Sequence, residues 1–450
     1  MPNVLVNFLW TFFSLAGSQG VRLVSNLFLT RLLAPELFGL MAVVNSIAMG
    51  VQLFSDIGIR NSVIHGSASK IERFDDVAWT VQILRGGLIY LVLAAVAHPF
   101  EQFYGNAQLS EVLLILASTA LLHGVVPTKV YHLERNVQMK KVAAIDFTAQ
   151  VLGSVVMVLV AYVTRDIWAL VVGSIVIVAA RIAAYYAFIP GPNNRMHWDK
   201  SAAVEIFSRG RWIFLSSMGL FLVSQGDKLV MGKLLPLEFV GIYAVGVTFS
   251  MLIGELANSL SAKFLFPLYH KLKDSDNSLL RVRKMRMLGY AVAALAAAPL
   301  MFLGDWIIKV LYDERYIAAG WILQLTALGS LFQTLDASLR PLLLANSDYF
   351  RMMIYQFAKG IIYLTLLIGG FYAYGLAGLI AVIVFSPLIN LIILHGLVRK
   401  YGYRWASLDL VVCLLSIVVV GAVWYWGWSD PVSQLTQFQL AEVSVEPSNP

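Results

Sequence analysis

Charged residues and cysteines are scarce in this chain of 450 residues. Asp, Glu, Lys and Arg make up 13% of it, while 59% of the residues are hydrophobic and the mean hydropathy is +0.75. Soluble proteins carry roughly 25% charged residues. A single soluble core could not bury this much apolar surface, but a lipid bilayer can. Cys413 is the only cysteine, which excludes an intrachain disulfide and any CxxC metal or redox site.

The motifs of common catalytic sites are also missing. The sequence contains no GxxxxGK[ST] nucleotide-binding loop and no HExxH zinc motif, and no nucleophile–base arrangement stands out. We therefore expect neither an enzyme nor a resident cofactor or metal. No Lys or Arg precedes Arg22, so the first residues lack the positive start of a cleaved signal and are predicted to form the first membrane span.

Apolar runs of about 20 residues recur along the chain and predict transmembrane helices. The thirteen predicted spans cover residues 4–30, 37–57, 78–97, 110–127, 143–163, 167–189, 212–232, 239–262, 287–310, 318–339, 355–373, 376–397 and 408–428. An all-α integral membrane protein is therefore predicted. The polar residues 429–450 are predicted to be a disordered tail.

Lys and Arg residues are concentrated in alternate loops. One set of loops holds 24 of them and the other only 5. Because positively charged loops stay in the cytoplasm, the rich set, which includes residues 271–286, and the N-terminus are predicted to be cytoplasmic. The formal net charge of +7 then reflects topology, and nucleic acid is not expected as a partner.

The chain repeats a short motif at an offset of 202 residues. Residues 31–43 match residues 233–245 at six identical positions, including Glu36/Glu238 and Gly39/Gly241. Six predicted spans separate the copies, so the halves have parallel topology and are related by a pseudo-twofold axis along the membrane normal, a plan found in transporters. The predicted domains are a six-helix bundle at 1–189, a cytoplasmic linker at 190–211, a second six-helix bundle at 212–397 and an additional span at 398–428.

Charged residues inside predicted spans or directly at their ends are the candidate site residues, because charge at membrane depth is costly and usually functional. The cations suit an anionic ligand such as pyrophosphate. The carboxylates either neutralise these cations or take up protons or Na⁺, and the sequence leaves both readings open. Positive-inside bias also explains Arg340 and Lys359 near cytoplasmic ends. The candidate cations are Arg22, Arg85, Arg181, Lys228 and Arg340, and the candidate coupling carboxylates are Asp146, Asp227, Glu255 and Asp336.

Several motifs resemble those of a known family. Residues 31–39 (RLLAPELFG) are similar to the segment after the first span of Wzx-type polysaccharide flippases, which belong to the MOP exporter superfamily. Residues 54–61 (FSDIGIRN), residues 227–232 (DKLVMG), residues 241–244 (GIYA) and Phe266-Pro267 resemble further motifs of these flippases in the same order. The likeness covers about residues 1–410 and is strongest to the branch that resembles colanic-acid exporters.

The resemblance implies two six-helix bundles around a V-shaped central cavity lined by Arg and Lys. It further implies a bacterial inner-membrane transporter that moves undecaprenyl-pyrophosphate-linked oligosaccharide repeat units to the outer leaflet. Membrane lipids are expected contacts, with H⁺ or Na⁺ and polysaccharide polymerase or assembly proteins as further candidate partners. A drug/cation antiporter and a peptidoglycan-precursor flippase of the same superfamily remain alternatives. The odd thirteenth span departs from the even number typical of the family.

Overall fold

A computed structural model describes residues 2–55, 59–64, 73–136, 138–270, 277–401, 406–425 and 431–435. These residues form helices and short connections, and none of them is in a β-strand. The all-α class predicted from the composition is confirmed. Most of the predicted tail, 429–450, lies outside the described residues.

The helices are numbered in chain order. The first eight are α1 (Pro2–Leu32), α2 (Pro35–Phe54), α3 (Ile59–Ile64), α4 (Phe74–Tyr104), α5 (Gln108–Gly124), α6 (Lys129–Arg135), α7 (Met139–Thr164) and α8 (Trp168–Phe188). The remainder are α9 (Lys200–Leu234), α10 (Leu237–Leu260), α11 (Phe266–His270), α12 (Asn277–Leu311), α13 (Ala319–Leu339), α14 (Pro341–Ala345), α15 (Tyr349–Val398) and α16 (Ala406–Tyr425). A π-helical turn, Ser261–Leu265, joins α10 to α11.

Seven continuous helical segments among the described residues are long and apolar enough to cross a bilayer. One of them, Leu237–His270, consists of α10, the π-helical turn and α11. The bent pair α5 and α6, whose axes differ by 68°, would make eight. The chain is therefore a multi-pass helical membrane protein. The count of thirteen spans stays a prediction.

The sequence repeat reappears in the ends of the helices. The first copy covers the junction at which α1 ends at Leu32 and α2 begins at Pro35. The second covers the junction at which α9 ends at Leu234 and α10 begins at Leu237. Both pairs of ends differ by the same 202 residues as the repeat. The glutamate of each motif lies in the first turn of its helix, where a negative charge favours the helix dipole.

The chain divides into two compact units, one of residues 1–218 with 232–238 and one of residues 219–231 with 239–450. In the first unit α7 packs against α1 and α8, and α4 packs against α5. The contact between α4 and α5 is close, because a Cβ atom on Gly86 would lie 2.6 Å from the carbonyl oxygen of Ala120. Glycine is therefore required at this crossing.

Part of the predicted linker is bound to the first unit. The Asn194 side chain exchanges hydrogen bonds of 2.9 and 2.7 Å with the backbone N–H and hydroxyl of Thr128. The backbone N–H of Arg195 donates to Asp76 Oδ1 at 2.9 Å, and that of His197 donates to Thr80 at 3.0 Å. Helix α9 starts at Lys200, so only the stretch before it lacks regular secondary structure. The domain boundaries themselves stay a prediction.

In the second unit α13 is the central helix, since all of its residues except Gln333 are buried. Helix α15 is a hairpin of two helices broken at Tyr374 and Gly375, and Gly375 has a φ of 61° that glycine adopts without strain. This break separates the predicted spans 355–373 and 376–397.

The cytoplasmic ends expected for the α15 hairpin are held together by Asp348. Its Oδ2 accepts hydrogen bonds from Lys400 Nζ at 2.8 Å and from the Tyr401 hydroxyl at 2.6 Å, while its Oδ1 caps the helix through the backbone N–H of Arg351. The hydrogen bond from Lys400, followed by that from Tyr401, lowers the pKa of the Asp348 carboxyl to about 2.

The additional C-terminal helix α16 lies along α12. Arg286 donates to Asp409 Oδ2 at 2.6 Å, Tyr290 and Ser416 share a hydrogen bond of 2.5 Å, and Trp424 donates to the Met301 carbonyl at 3.2 Å. Both helices advance in the same direction through these contacts. Fifteen residues separate the first contact from the last, which is about 22 Å of helix. Helix α16 therefore follows a membrane-spanning helix over most of the hydrocarbon thickness.

Helix α12 begins earlier than the apolar run predicts. The predicted span is 287–310, whereas the helix starts at Asn277 and includes residues of the basic segment 271–286. Val282 and Arg286 are buried there, at 0% and 4% exposed. Hydropathy does not detect this first part of α12, because charged residues alternate there with the apolar residues that pack.

A cavity in the second unit

Helices α9, α10, α13 and α15 enclose a cavity of about 490 Å³ within the second unit. Four ionisable side chains line it, the carboxylates of Asp227 and Glu255 and the cations of Arg340 and Lys359. Polar neutral side chains, among them Gln333, Ser250 and Asn390, cover much of the remaining wall. The lining charges balance, so the predicted positive character is confined to one part of the cavity.

That part is a basic cluster of Arg340 and Lys359 around the carboxylate of Asp336. Asp336 is fully buried, and its Oδ2 lies 3.2 Å from Lys359 Nζ and 3.1 Å from Arg340 Nε. The Tyr355 hydroxyl donates to the other carboxylate oxygen, Oδ1. Arg340 also donates from its second terminal nitrogen to Asn258 Oδ1 at 2.5 Å. Asp336 lies in the last turn of α13, and Arg340, four residues later, is the C-cap of that helix. Tyr355 and Lys359 are one turn apart on α15.

Asp227 forms a second charged group. It is 6% exposed, and its Oδ2 accepts a hydrogen bond of 2.5 Å from the buried Tyr243 hydroxyl. The other oxygen, Oδ1, is buried and has no hydrogen-bond partner among the described residues. The nearest cation recorded for it is Lys228, whose Nζ lies 4.0 Å away, too far for a hydrogen bond. Asp227 therefore presents an incompletely satisfied carboxylate to the cavity.

Lys228 itself is not among the residues that line this cavity. Its ammonium folds back onto its own helix and donates to the Ser224 carbonyl and to Gln225 Oε1, both at 3.3 Å. Glu255, by contrast, is an exposed residue that does line the cavity. Of the candidates in the second half of the chain, Asp227, Glu255 and Arg340 line the cavity, and Asp336 lies directly behind Arg340.

The candidates in the first half occupy other places. Arg85 lines a separate cavity of about 310 Å³ in the first unit, and it donates to the Gln52 carbonyl at 2.8 Å and to the Ser55 hydroxyl at 3.2 Å. These bonds satisfy the C-terminal end of α2. The candidate role of Arg85 in anion binding stays a prediction.

Asp146 and Arg181 pair with each other. Arg181 Nε lies 3.3 Å from Asp146 Oδ1, and the same oxygen accepts a hydrogen bond of 2.5 Å from Tyr185. Neither residue lines the two cavities described above. Arg22 is exposed on α1, and no partner of its guanidinium is found in the described part of the chain. Their roles in binding or coupling also stay predictions.

Lys359 is the cavity residue that sequence reasoning did not select. Its position near a predicted cytoplasmic end is explained equally well by the charge bias of loops, and its carboxylate partner is 23 residues away on another helix. The signal present in the sequence was the i, i+4 spacing of Tyr355 and Lys359, which places both on one face of α15. Tyr243 lies in the GIYA motif, but nothing in that motif indicated that its hydroxyl would bind Asp227.

The fold and the buried charges define a multi-pass membrane protein with a polar cavity inside a helical bundle. Residues 28–320 match the protein family described as "Polysaccharide biosynthesis protein", which is more than half of the chain. The chain therefore belongs to this family, and the resemblance noted in its motifs is confirmed.

Among curated relatives, the succinoglycan biosynthesis transport protein ExoT of Rhizobium meliloti is 24% identical over 325 residues, 71% of this chain and 64% of the relative. The lipopolysaccharide biosynthesis protein WzxC of Escherichia coli is 20% identical over 390 residues, 85% of this chain and 78% of the relative. The chain thus spans slightly less than two thirds of the length of ExoT.

Solved structures show the same fold. The lipid II flippase MurJ, in an inward closed conformation, gives a TM-score of 0.68 at 14% identity and covers 94% of this chain and 99% of its own. A multidrug resistance MATE family transporter of the MOP superfamily, in an inward-facing conformation, gives 0.64 at 11% identity, with 92% and 98% covered. At these identities the likeness shows the MOP fold alone.

Proposed function

We propose that this protein flips undecaprenyl-pyrophosphate-linked oligosaccharide repeat units from the inner to the outer leaflet of the bacterial cytoplasmic membrane for polysaccharide export. The observation that carries the proposal is a charged cavity inside a bundle of helices in a membrane protein of the polysaccharide biosynthesis family. Charges in such a place are costly, and they persist where they serve a polar ligand. The names of ExoT and WzxC refer to succinoglycan transport and to lipopolysaccharide biosynthesis, which supports a role in the biosynthesis and transport of polysaccharides.

The chemistry of the substrate fits the lining of the cavity. A pyrophosphate is a strong hydrogen-bond acceptor, and guanidinium and ammonium groups are its usual partners in proteins. Arg340 is one cation that lines the cavity. The neutral amides and hydroxyls beside it, such as Gln333 and Ser250, suit the hydroxyl groups of a sugar.

Energy for transport is proposed to come from an ion gradient, because the sequence has no nucleotide-binding loop. Asp227 and Glu255 are the carboxylates that line the cavity. The unpartnered oxygen of Asp227 is free to accept a proton or to contact Na⁺ without first breaking a bond. Alternating access would follow from movement of one half of the repeat against the other.

Glycan export tests the proposed substrate. In cells that depend on this protein for a surface polysaccharide, its loss should stop export while lipid-linked repeat units accumulate at the inner leaflet. Arg340→Ala should reproduce this loss at an unchanged protein level. Normal export without the protein would contradict the proposal.

Ion flux tests the coupling separately. In proteoliposomes, addition of lipid-linked oligosaccharide should drive proton or Na⁺ movement through the wild-type protein. Asp227→Asn and Glu255→Gln should reduce that movement more than they reduce substrate binding. If wild-type transport ignores an imposed ion gradient, these carboxylates are structural counter-ions.

A further inference from the structure

The basic cluster contains two cations around one carboxylate. Asp336 is 0% exposed and does not line the cavity, whereas Arg340 and Lys359 both do. The cluster therefore turns its positive groups toward the cavity and keeps its negative group behind them. Its net charge is +1 when all three groups are ionised.

The donors of the two cations are only partly used. Among the residues that the structure describes, the Lys359 ammonium, which has three N–H groups, donates one hydrogen bond, to Asp336 Oδ2. The Arg340 guanidinium has five N–H groups; one nitrogen donates to Asn258, and its Nε approaches Asp336 without forming a hydrogen bond. Several donors thus remain for a ligand in the cavity.

Tyr355 and Asp336 fix the positions of these donors. The Tyr355 hydroxyl donates to Asp336 Oδ1, which leaves Oδ2 for both cations. The Lys359 ammonium also lies 5.7 Å from the centre of the Tyr355 ring, within the range of a cation–π contact. The four side chains, which lie on α13, at its C-cap and on α15, thus hold one arrangement before any ligand enters, which reduces the entropy lost on binding.

We propose that Arg340 and Lys359 form a binding subsite for a phosphate-type oxyanion, and that Asp336 is its fixed counter-ion. This inference rests on the proposed function, in which the oxyanion is the pyrophosphate of the lipid-linked substrate. It adds Lys359 to the site and assigns Asp336 to the neutralising role rather than to ion coupling. Coupling is then left to Asp227 and Glu255.

The direction in which one substitution changes the affinity for the oxyanion separates this role from a structural one. Asp336→Asn keeps the shape of the side chain and removes the negative charge behind the cations. A bound oxyanion should then be held more tightly, on the order of tenfold for one charge removed at this range in a partly screened site. A purely structural carboxylate predicts no such gain.

The measurement is the affinity of the purified full-length protein for inorganic pyrophosphate in phosphatidylcholine nanodiscs, by titration calorimetry. Arg340→Gln should weaken binding about tenfold or more, as expected when a charge-assisted contact is lost. Lys309→Gln is the matched control, because this exposed lysine of the same unit pairs with Asp305 on α12 and does not line the cavity. This variant should bind pyrophosphate with the affinity of the wild type.

Replacing Lys359 alone would leave the buried negative charge of Asp336 less well neutralised, so that variant could fail to fold. The double variant Lys359→Gln/Asp336→Asn removes both charges and keeps the buried pair neutral. It should elute as a folded monodisperse protein and bind pyrophosphate about tenfold more weakly than Asp336→Asn alone. Unchanged affinity in Asp336→Asn, or equal affinity in the single and double variants, would overturn the subsite.

Two further experiments identify whether a lipid headgroup or the substrate supplies the oxyanion. If a lipid headgroup occupies the subsite, nanodiscs that contain phosphatidylglycerol should weaken pyrophosphate binding by competition, whereas a substrate pyrophosphate site should be unaffected. A flipping assay shows whether the proposed function or the proposed subsite is wrong. Pyrophosphate binding with the predicted variant pattern but no flipping would refute the proposed function alone, and flipping that survives in all cluster variants would refute the subsite alone.

Discussion

Replacing Asp409 by alanine would remove the carboxylate that neutralises a buried guanidinium of α12. Arg286 and Asp409 are joined at 2.6 Å, and each side chain is only 3% exposed. Asp409 Oδ2 also lies 2.9 Å from His395 Nε2, and Arg286 Nε donates to the Ser338 hydroxyl at 3.1 Å. Four helices, α12, α13, α15 and α16, therefore meet at this pair.

The expected cost follows from the burial. Breaking a buried ion pair by removing one partner destabilises a protein by about 3–5 kcal/mol, because the remaining charge stays out of water. Replacing both partners with apolar residues of similar size is far milder, often neutral within about 1 kcal/mol or even stabilising. Asp409→Ala should therefore be strongly destabilising, and the double variant Arg286→Met/Asp409→Leu should recover most of the loss.

The assay is unfolding of the purified protein in detergent, followed by tryptophan fluorescence. The control is Asp305→Ala on the same α12, which breaks an ion pair with Lys309 of the same 2.6 Å length whose side chains are 54% and 21% exposed. Exposed pairs contribute about 0.2–1 kcal/mol. A cost for Asp409→Ala no larger than that of the control, or a double variant as unstable as the single one, would refute the reasoning.

Three other predictions follow from topology and charge. In a Cys413→Ser background, an impermeant thiol reagent should label Asn106→Cys and spare Asp276→Cys in intact cells, and the reverse pattern would overturn the orientation. The ionised Asp348 carboxylate, whose pKa is low, stabilises the α15 hairpin above about pH 4, and this contribution should fall as the pH drops toward 2. The Asp348→Asn variant should be about 1 kcal/mol less stable near neutral pH, and its thermal unfolding should lack that pH dependence. If exposed Arg22 contacts the substrate, Arg22→Ala should lose glycan export and Arg22→Lys should keep part of it, whereas full export by the alanine variant would leave Arg22 without that role.

The sequence was a good guide to the helices and to their repetition. Apolar runs locate each long helix, and the break at Gly375 lies between two predicted spans because glycine adopts the positive φ of this turn. The offset of 202 residues between the repeated motifs is also the offset between helix ends. These features are local, so periodicity and turn chemistry determine them.

The pairing of charges across helices could not be predicted in the same way. A helical pattern shows which residues share a face, but it does not show which helix that face meets. Asp336 therefore appeared as a candidate coupling carboxylate, although its partner Lys359 lies on α15. For the same reason nothing in the spacing of Asp146 and Arg181 indicated that α7 and α8 place them together. Each of these pairings depends on tertiary packing.

Flipping by the purified protein is the most direct test of the central claim. The protein would be reconstituted in liposomes with an undecaprenyl-pyrophosphate-linked oligosaccharide that carries a label, and a glycan-modifying enzyme added outside would report the units that reach the outer leaflet. We predict protein-dependent movement of the lipid-linked units, which Arg340→Gln abolishes and Lys309→Gln retains. Equal movement in protein-free liposomes, or in liposomes with the Arg340→Gln protein, would contradict it.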